Sequence, residues 1–122
     1  MTTSPKIQTV AELAVAARRI QEGGGRVVLC HGNFDLLHIG HIRYFKQARS
    51  YGDILMVTVT PDRFVDKGPD RPAFDEELRL EAVASMGCVD YVALNEWPTA
   101  EETLQAIQPD VYATGSELEA VE

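Results

Sequence analysis

Apolar residues along this chain follow two alternating spacings. Val10, Leu13, Ala14, Ala17 and Ile20 recur three or four apart, as on one face of a helix. Thr9 precedes that stripe, with Glu12 three positions on in capping-box spacing, and Gly23-Gly24-Gly25 stop it. Val27–Cys30 is then a short unbroken apolar run, the mark of a strand buried on both faces. The alternation repeats. Ile42, Phe45 and Ala48 predict a helix over 39–50, ended by Gly52, and Ile54–Val59 predicts a second buried strand. Asp75 is placed to cap a helix running to about Met86, with Leu78, Ala82 and Met86 on one face. Tyr91–Leu94 predicts a third strand, Thr99 caps a short helix to about Ile107, and Val111–Ala113 predicts a fourth strand. Residues 1–8 read as a polar lead-in, and 1–24 as an N-terminal helical extension. Residues 66–73 hold Lys67-Gly68-Pro69 and Arg71-Pro72, a loop.

Apolar strands alternating with helices predict an α/β fold, a parallel sheet covered on both faces. Ligands in such sheets bind beyond the carboxyl ends of the strands, beside a reversal in strand order. The loops after Cys30, Val59, Leu94 and Ala113 are therefore the ones to inspect.

Composition narrows the function. The 122 residues suit a single domain over 1–122. Acids exceed bases by 19 to 11, a net charge of −8, which disfavours nucleic acid as a partner. No apolar run suggests a membrane span or an export signal. Cys30 and Cys88 lie in apolar runs without CxxC spacing, which fits a reducing, cytoplasmic setting. The charge is uneven: every Lys and Arg lies between Lys6 and Arg79, and nine acids but no base follow. A polyanionic ligand must draw its cations from the first two-thirds of the chain.

The run Cys30-His31-Gly32-Asn33-Phe34-Asp35-Leu36-Leu37-His38-Ile39-Gly40-His41 joins a strand to a helix start. Gly32 lets the backbone come close to a ligand. Backbone N–H groups there and at the helix N-terminus form a natural phosphate site. His38 and His41, three apart, can face one point and donate to the same phosphate. A metal held by His38, His41 and either His31 or Asp35 is the competing reading, but it lacks a clear fourth ligand.

Gly32-Asn33-Phe34-Asp35-Leu36-Leu37-His38-Ile39-Gly40-His41 resembles the HxGH signature of the cytidylyltransferase-like nucleotidyltransferases. Heptose-1-phosphate adenylyltransferases and glycerol-3-phosphate cytidylyltransferases are the nearest types. The likeness runs over residues 25–118, through Gly52-Asp53, Pro61-Asp62, Lys67-Gly68-Pro69, Arg79, Val89-Asp90-Tyr91-Val92, Pro109-Asp110-Val111 and Gly115-Ser116-Glu117. It implies a Rossmann-like three-layer sandwich. It also implies transfer of a nucleoside monophosphate from an NTP, ATP or CTP, to a phosphorylated sugar or polyol, with release of pyrophosphate. By the same resemblance, His38, His41 and Lys67 are catalytic. Gly32, Asn33, Phe34, Gly40, Arg79, Thr114, Gly115, Ser116 and Glu117 bind nucleotide or phosphate, while Asp35 fixes the turn. Mg²⁺ arrives with the NTP and no dedicated metal site is implied. A homodimer and a fusion to a further domain both occur among relatives.

The sequence departs from the family pattern at Thr114, where heptose-type relatives have Lys, and at Leu118, where they have an aromatic residue. Gly87 and Cys88 stand where the cytidylyltransferases carry Arg-Tyr. Relatives continue into a further helix, a strand and a Ser/Thr-rich phosphate motif that this chain does not contain. A non-catalytic nucleotide-binding module is the alternative that this difference leaves open. Trp97 reads as a packing residue under the loop after the third strand.

Overall fold

The computed structural model describes residues 4–35, 37–65, 75–114 and 117–120, with Thr114 and 117–120 described by their backbone alone. The strands are β1 (Ile7–Gln8), β2 (Val27–Gly32), β3 (Ile54–Val59), β4 (Tyr91–Leu94), β5 (Val111–Thr114) and β6 (Glu117–Ala120). The helices are α1 (Val10–Glu22), α2 (Ile39–Arg49), α3 (Glu76–Ala84) and α4 (Glu101–Ile107), with one 3-10 turn at Asp62–Phe64.

The strands form one sheet in the order β1-β4-β3-β2-β5-β6. All neighbours are parallel except β5 and β6. From β2 the chain builds outward through β3 and β4, then returns to lay β5 on the other side of β2. The reversal in strand order therefore falls between β2 and β5, where the Cys30–His41 loop leaves the sheet.

Alternate strand residues feed two cores, as a period of two requires. Val28, Cys30, Leu55, Val57 and Val92 pack with Phe45 and Ala48 of α2 and Val83 and Ala84 of α3. Val27, Leu29, Met56 and Ala93 pack on the other face with Val10, Leu13 and Ala17 of α1 and Ile107 of α4. These residues are 0–4% exposed, so both faces of the sheet are dry.

Each helix has an identifiable start. The Thr9 hydroxyl accepts from Glu12 N–H at 3.1 Å, and Glu12 Oε1 accepts from Thr9 N–H at 2.9 Å, which completes the expected capping box. Asp75 Oδ1 caps α3 through Leu78 N–H at 2.9 Å. At α4 the Thr99 hydroxyl accepts from Glu101 N–H at 3.3 Å, but the cap position itself is Ala100.

Three aspartates fasten the amino ends of the central strands. Asp53 Oδ2 accepts from Arg26 N–H at 2.7 Å, Asp90 Oδ2 from Leu55 N–H at 2.8 Å, and Asp110 Oδ2 from Val27 N–H at 2.7 Å. Gly52 must be glycine, because a Cβ there would lie 2.7 Å from Val28 Cγ2 and 2.9 Å from the Arg26 carbonyl oxygen. The matches at Gly52-Asp53, Val89-Asp90 and Pro109-Asp110 thus hold the sheet together at the end opposite the ligand loops.

Four expectations need correction. The lead-in is not merely polar coil: Ile7 and Gln8 pair with Val92 and Ala93 as an edge strand. The first apolar strand continues two residues further, to Gly32. The buried face of α3 carries Arg79, Val83 and Ala84, while Leu78 is 51% exposed and Ala82 is also exposed. Finally, Thr114 and Glu117-Leu118 are not loop residues, because they pair antiparallel in β5 and β6.

Candidate active site

The loop beyond β2 is shaped by two rings lying over two glycines. Phe34 adopts φ 50°, a left-handed conformation that non-glycine residues seldom take. Its ring covers Gly32, where an added Cβ would stand 3.0 Å from Phe34 Cζ. The same ring packs 5.1 Å from Phe45 and meets His41 edge-on at 5.8 Å between centroids. Asp35 beside it is buried. The His38 ring lies over Gly40, where a Cβ would sit 2.7 Å from His38 Cε1. The glycine between the two histidines therefore makes room for the His38 ring in this position.

His38 is the N-cap of α2, and the two imidazoles cap the helix reciprocally. Gly40 N–H donates to His38 Nδ1 at 3.0 Å, and His38 N–H donates to His41 Nδ1 at 3.3 Å. A backbone N–H can only donate, so both Nδ1 atoms act as acceptors and carry no proton. In the neutral rings the proton therefore sits on Nε2. Two Nε2–H donors, on rings 4.3 Å apart, are presented at the positive end of a helix dipole. Partial burial and the neighbouring His38 hold the His41 pKa below its ordinary value, which keeps that ring neutral.

His31 is a third imidazole, but it is oriented by a different element. It stands on β2 with Nδ1 3.0 Å from the Thr58 hydroxyl of β3. Burial also lowers its pKa. Among the described residues, no three His, Cys, Asp or Glu side chains converge in a way that could hold a metal ion.

Arg79, expected to bind phosphate, is held by groups of the protein itself. Its side chain is fully buried beneath the loop, where Nη1 donates to the Asn33 carbonyl at 2.8 Å and to the Thr60 carbonyl at 2.6 Å. Nη2 pairs with Asp62 at 2.7 Å. The α3 face that was expected to bury Leu78 buries this arginine instead. A cleft of about 340 Å³ opens beside the loop, lined by Phe34, Asp35, Leu37, Leu78, Arg79 and Ala82.

Asn95 was not anticipated. It is fully buried at the carboxyl end of β4, donating to the carbonyls of Trp97 at 2.7 Å and Thr99 at 2.9 Å and accepting from the Thr103 hydroxyl. It braces one of the ligand-side loops, and a single sequence does not distinguish it from an ordinary loop asparagine. Trp97 packs against the core beneath α1 and α4. Lys67, Arg71, Gly115 and Ser116 lie outside the described residues, as do the side chains of Thr114 and Glu117.

A glycine-containing loop followed by paired imidazole donors, at the reversal point of a largely parallel sheet, puts the candidate site where α/β domains bind ligands. The chain belongs to the cytidylyltransferase-like family, whose profile matches residues 29–120. It is 38% identical to the bifunctional protein HldE of Citrifermentans bemidjiense over 92% of its own length, and 36% identical to that of Sulfurimonas denitrificans over 97%. It spans about a quarter of the length of these curated relatives, 23% and 25%. Among solved structures it is similar to the lipopolysaccharide core biosynthesis protein of Thermoplasma volcanium. The TM-score is 0.66 and the identity 35%, with 73% of each chain covered. Among the described residues, no helix is long and apolar enough to cross a membrane.

Proposed function

We propose that this chain forms the nucleotidyltransferase unit of an enzyme that moves a nucleoside monophosphate from an NTP to a phosphorylated sugar or polyol. A phosphate oxygen of the acceptor attacks the NTP α-phosphorus. The bond from that phosphorus to the bridging oxygen breaks, and pyrophosphate leaves. The step needs no covalent enzyme intermediate, so catalysis consists of positioning and charge stabilisation.

The observation that carries this reading is the reciprocal capping of His38 and His41. It leaves two preset Nε2–H donors, the kind of group that stabilises charge building on phosphate oxygens during an in-line displacement. The backbone of Gly32, Asn33 and Phe34 cradles the phosphates, and Lys67 supplies a positive charge. Mg²⁺ enters as part of the triphosphate substrate, coordinated chiefly by phosphate oxygens and water. That the similar proteins are a bifunctional protein and a lipopolysaccharide core biosynthesis protein supports a sugar-phosphate acceptor and a fusion to a further domain.

Pyrophosphate release tests the proposal, with ATP, CTP, GTP and UTP each paired with a panel of sugar and polyol phosphates. The reading expects turnover with one NTP and one acceptor class, dependent on magnesium. A full-length natural protein that binds NTP but releases no pyrophosphate with any acceptor is a regulatory nucleotide-binding module instead.

A further inference from the structure

Arg79 is the bulkiest fully buried side chain among the described residues. A buried guanidinium is tolerated only where its donors are matched. Here three of its partners come from two separate loops. The Asn33 carbonyl belongs to the loop beyond β2; the Thr60 carbonyl and the Asp62 carboxylate belong to the segment beyond β3. The neighbouring Glu76 of α3 adds a further tie, its Oε1 accepting from Asp62 N–H at 3.0 Å.

We propose that Arg79 is a positioning residue that locks the His38/His41 loop to the segment beyond β3, and that it does not itself contact the substrate. The fixed Asn33 carbonyl points inward to the guanidinium, which sets the peptide plane leading into Phe34. Phe34 holds a left-handed conformation, and such strain persists only where the surroundings over-determine it. Arg79 holds the carbonyl side of that turn, while ring packing against Gly32 and Phe45 holds the other. The segment tied through Thr60 and Asp62 leads directly, in sequence, to Lys67. One planar fork thus connects the histidine loop to the stretch preceding the catalytic lysine. A lysine at position 79 keeps the charge but loses the fork.

The kinetic consequence rests on the nucleotidyltransferase reading, whereas the structural consequence does not. The test uses the full-length natural protein with Arg79→Lys and Asp62→Asn, measuring amide exchange over residues 32–35 alongside kcat and KM. For Arg79→Lys we expect faster exchange and a kcat roughly tenfold to hundredfold lower, with KM for the NTP changed by less than about threefold. Asp62→Asn shifts both readouts the same way by less. A raised KM with kcat and loop exchange intact marks a direct ligand contact and overturns the proposal. If the wild type turns over no nucleotide, the enzymatic reading fails and exchange alone decides: unchanged protection in both variants overturns the positioning role. If Arg79→Lys does not fold, Asp62→Asn supplies both readouts, because it leaves the two carbonyl contacts in place.

Discussion

The chemistry of the candidate site rests on which imidazole nitrogen faces the helix. Because Gly40 N–H and His38 N–H occupy the two Nδ1 atoms, both rings are fixed in orientation and tautomer by their own backbone. Replacing His38 or His41 by Ala should lower pyrophosphate release by roughly a hundredfold or more, the scale on which preset donors act. Stability should change by only about 1 kcal/mol, the value of one helix cap. Gly40→Ala is the sharper probe, since it keeps both imidazoles but pushes a methyl group into the His38 ring. We expect at least about tenfold lower kcat with little change in melting temperature; full activity in Gly40→Ala would show that the ring position is unimportant. The histidine pair was legible in the sequence because its geometry is local, contained within four residues. The role of Arg79 was not, because its partners lie 17, 19 and 46 positions away and only the fold brings them together.

Among the elements, the aspartates that fasten the strands matter as much as the apolar runs. Asp110 accepts from Val27 N–H and from the Gln21 side chain at 3.1 Å, so it joins α1 to the start of the central strand. Asp110→Ala leaves a strand N–H without its acceptor and should cost about 1–3 kcal/mol. Thr9→Ala, which removes one capping-box acceptor, should cost about 1 kcal/mol. Urea unfolding of the two variants checks both values, and the reverse ranking would mean that the strand fastening is unimportant. The four longer parallel strands could be read from unbroken apolar runs, since a strand buried on both faces has no polar alternation. The edge strand β1 could not, because two residues carry no periodicity. The α3 face was misread because Leu78, Ala82 and Met86 match helical spacing as well as Arg79 and Val83 do. Hydrophobicity alone favoured the leucine side, whereas three matched acceptors favour burying the arginine.

In the whole molecule, charge and burial combine to set a pH dependence. Burial holds the pKa values of His31 and His41 below the ordinary 6.5. As pH falls below 6.5 the unfolded chain takes up protons that the folded chain refuses, so stability drops, and the drop ends once pH passes below the folded values. The midpoint of urea unfolding should therefore be lower at pH 5.5 than at pH 7.5, a window above the usual carboxylate titrations. His31→Gln should shrink that difference; an equal difference in the variant would assign the effect elsewhere. The net charge of −8 pointed away from polyanions, yet it is concentrated after Arg79, and the proposed phosphate-binding loop belongs to the near-neutral portion. The central claim is transfer at the α-phosphorus by direct displacement, and ³¹P NMR of the full-length protein with MgNTP and its sugar-phosphate acceptor tests it most directly. The account predicts matched appearance of pyrophosphate and one new diphosphate diester, with no phosphorus bound to protein and both products lost in His38→Ala. Release of orthophosphate, a phosphoprotein signal, or undiminished products in His38→Ala would contradict it.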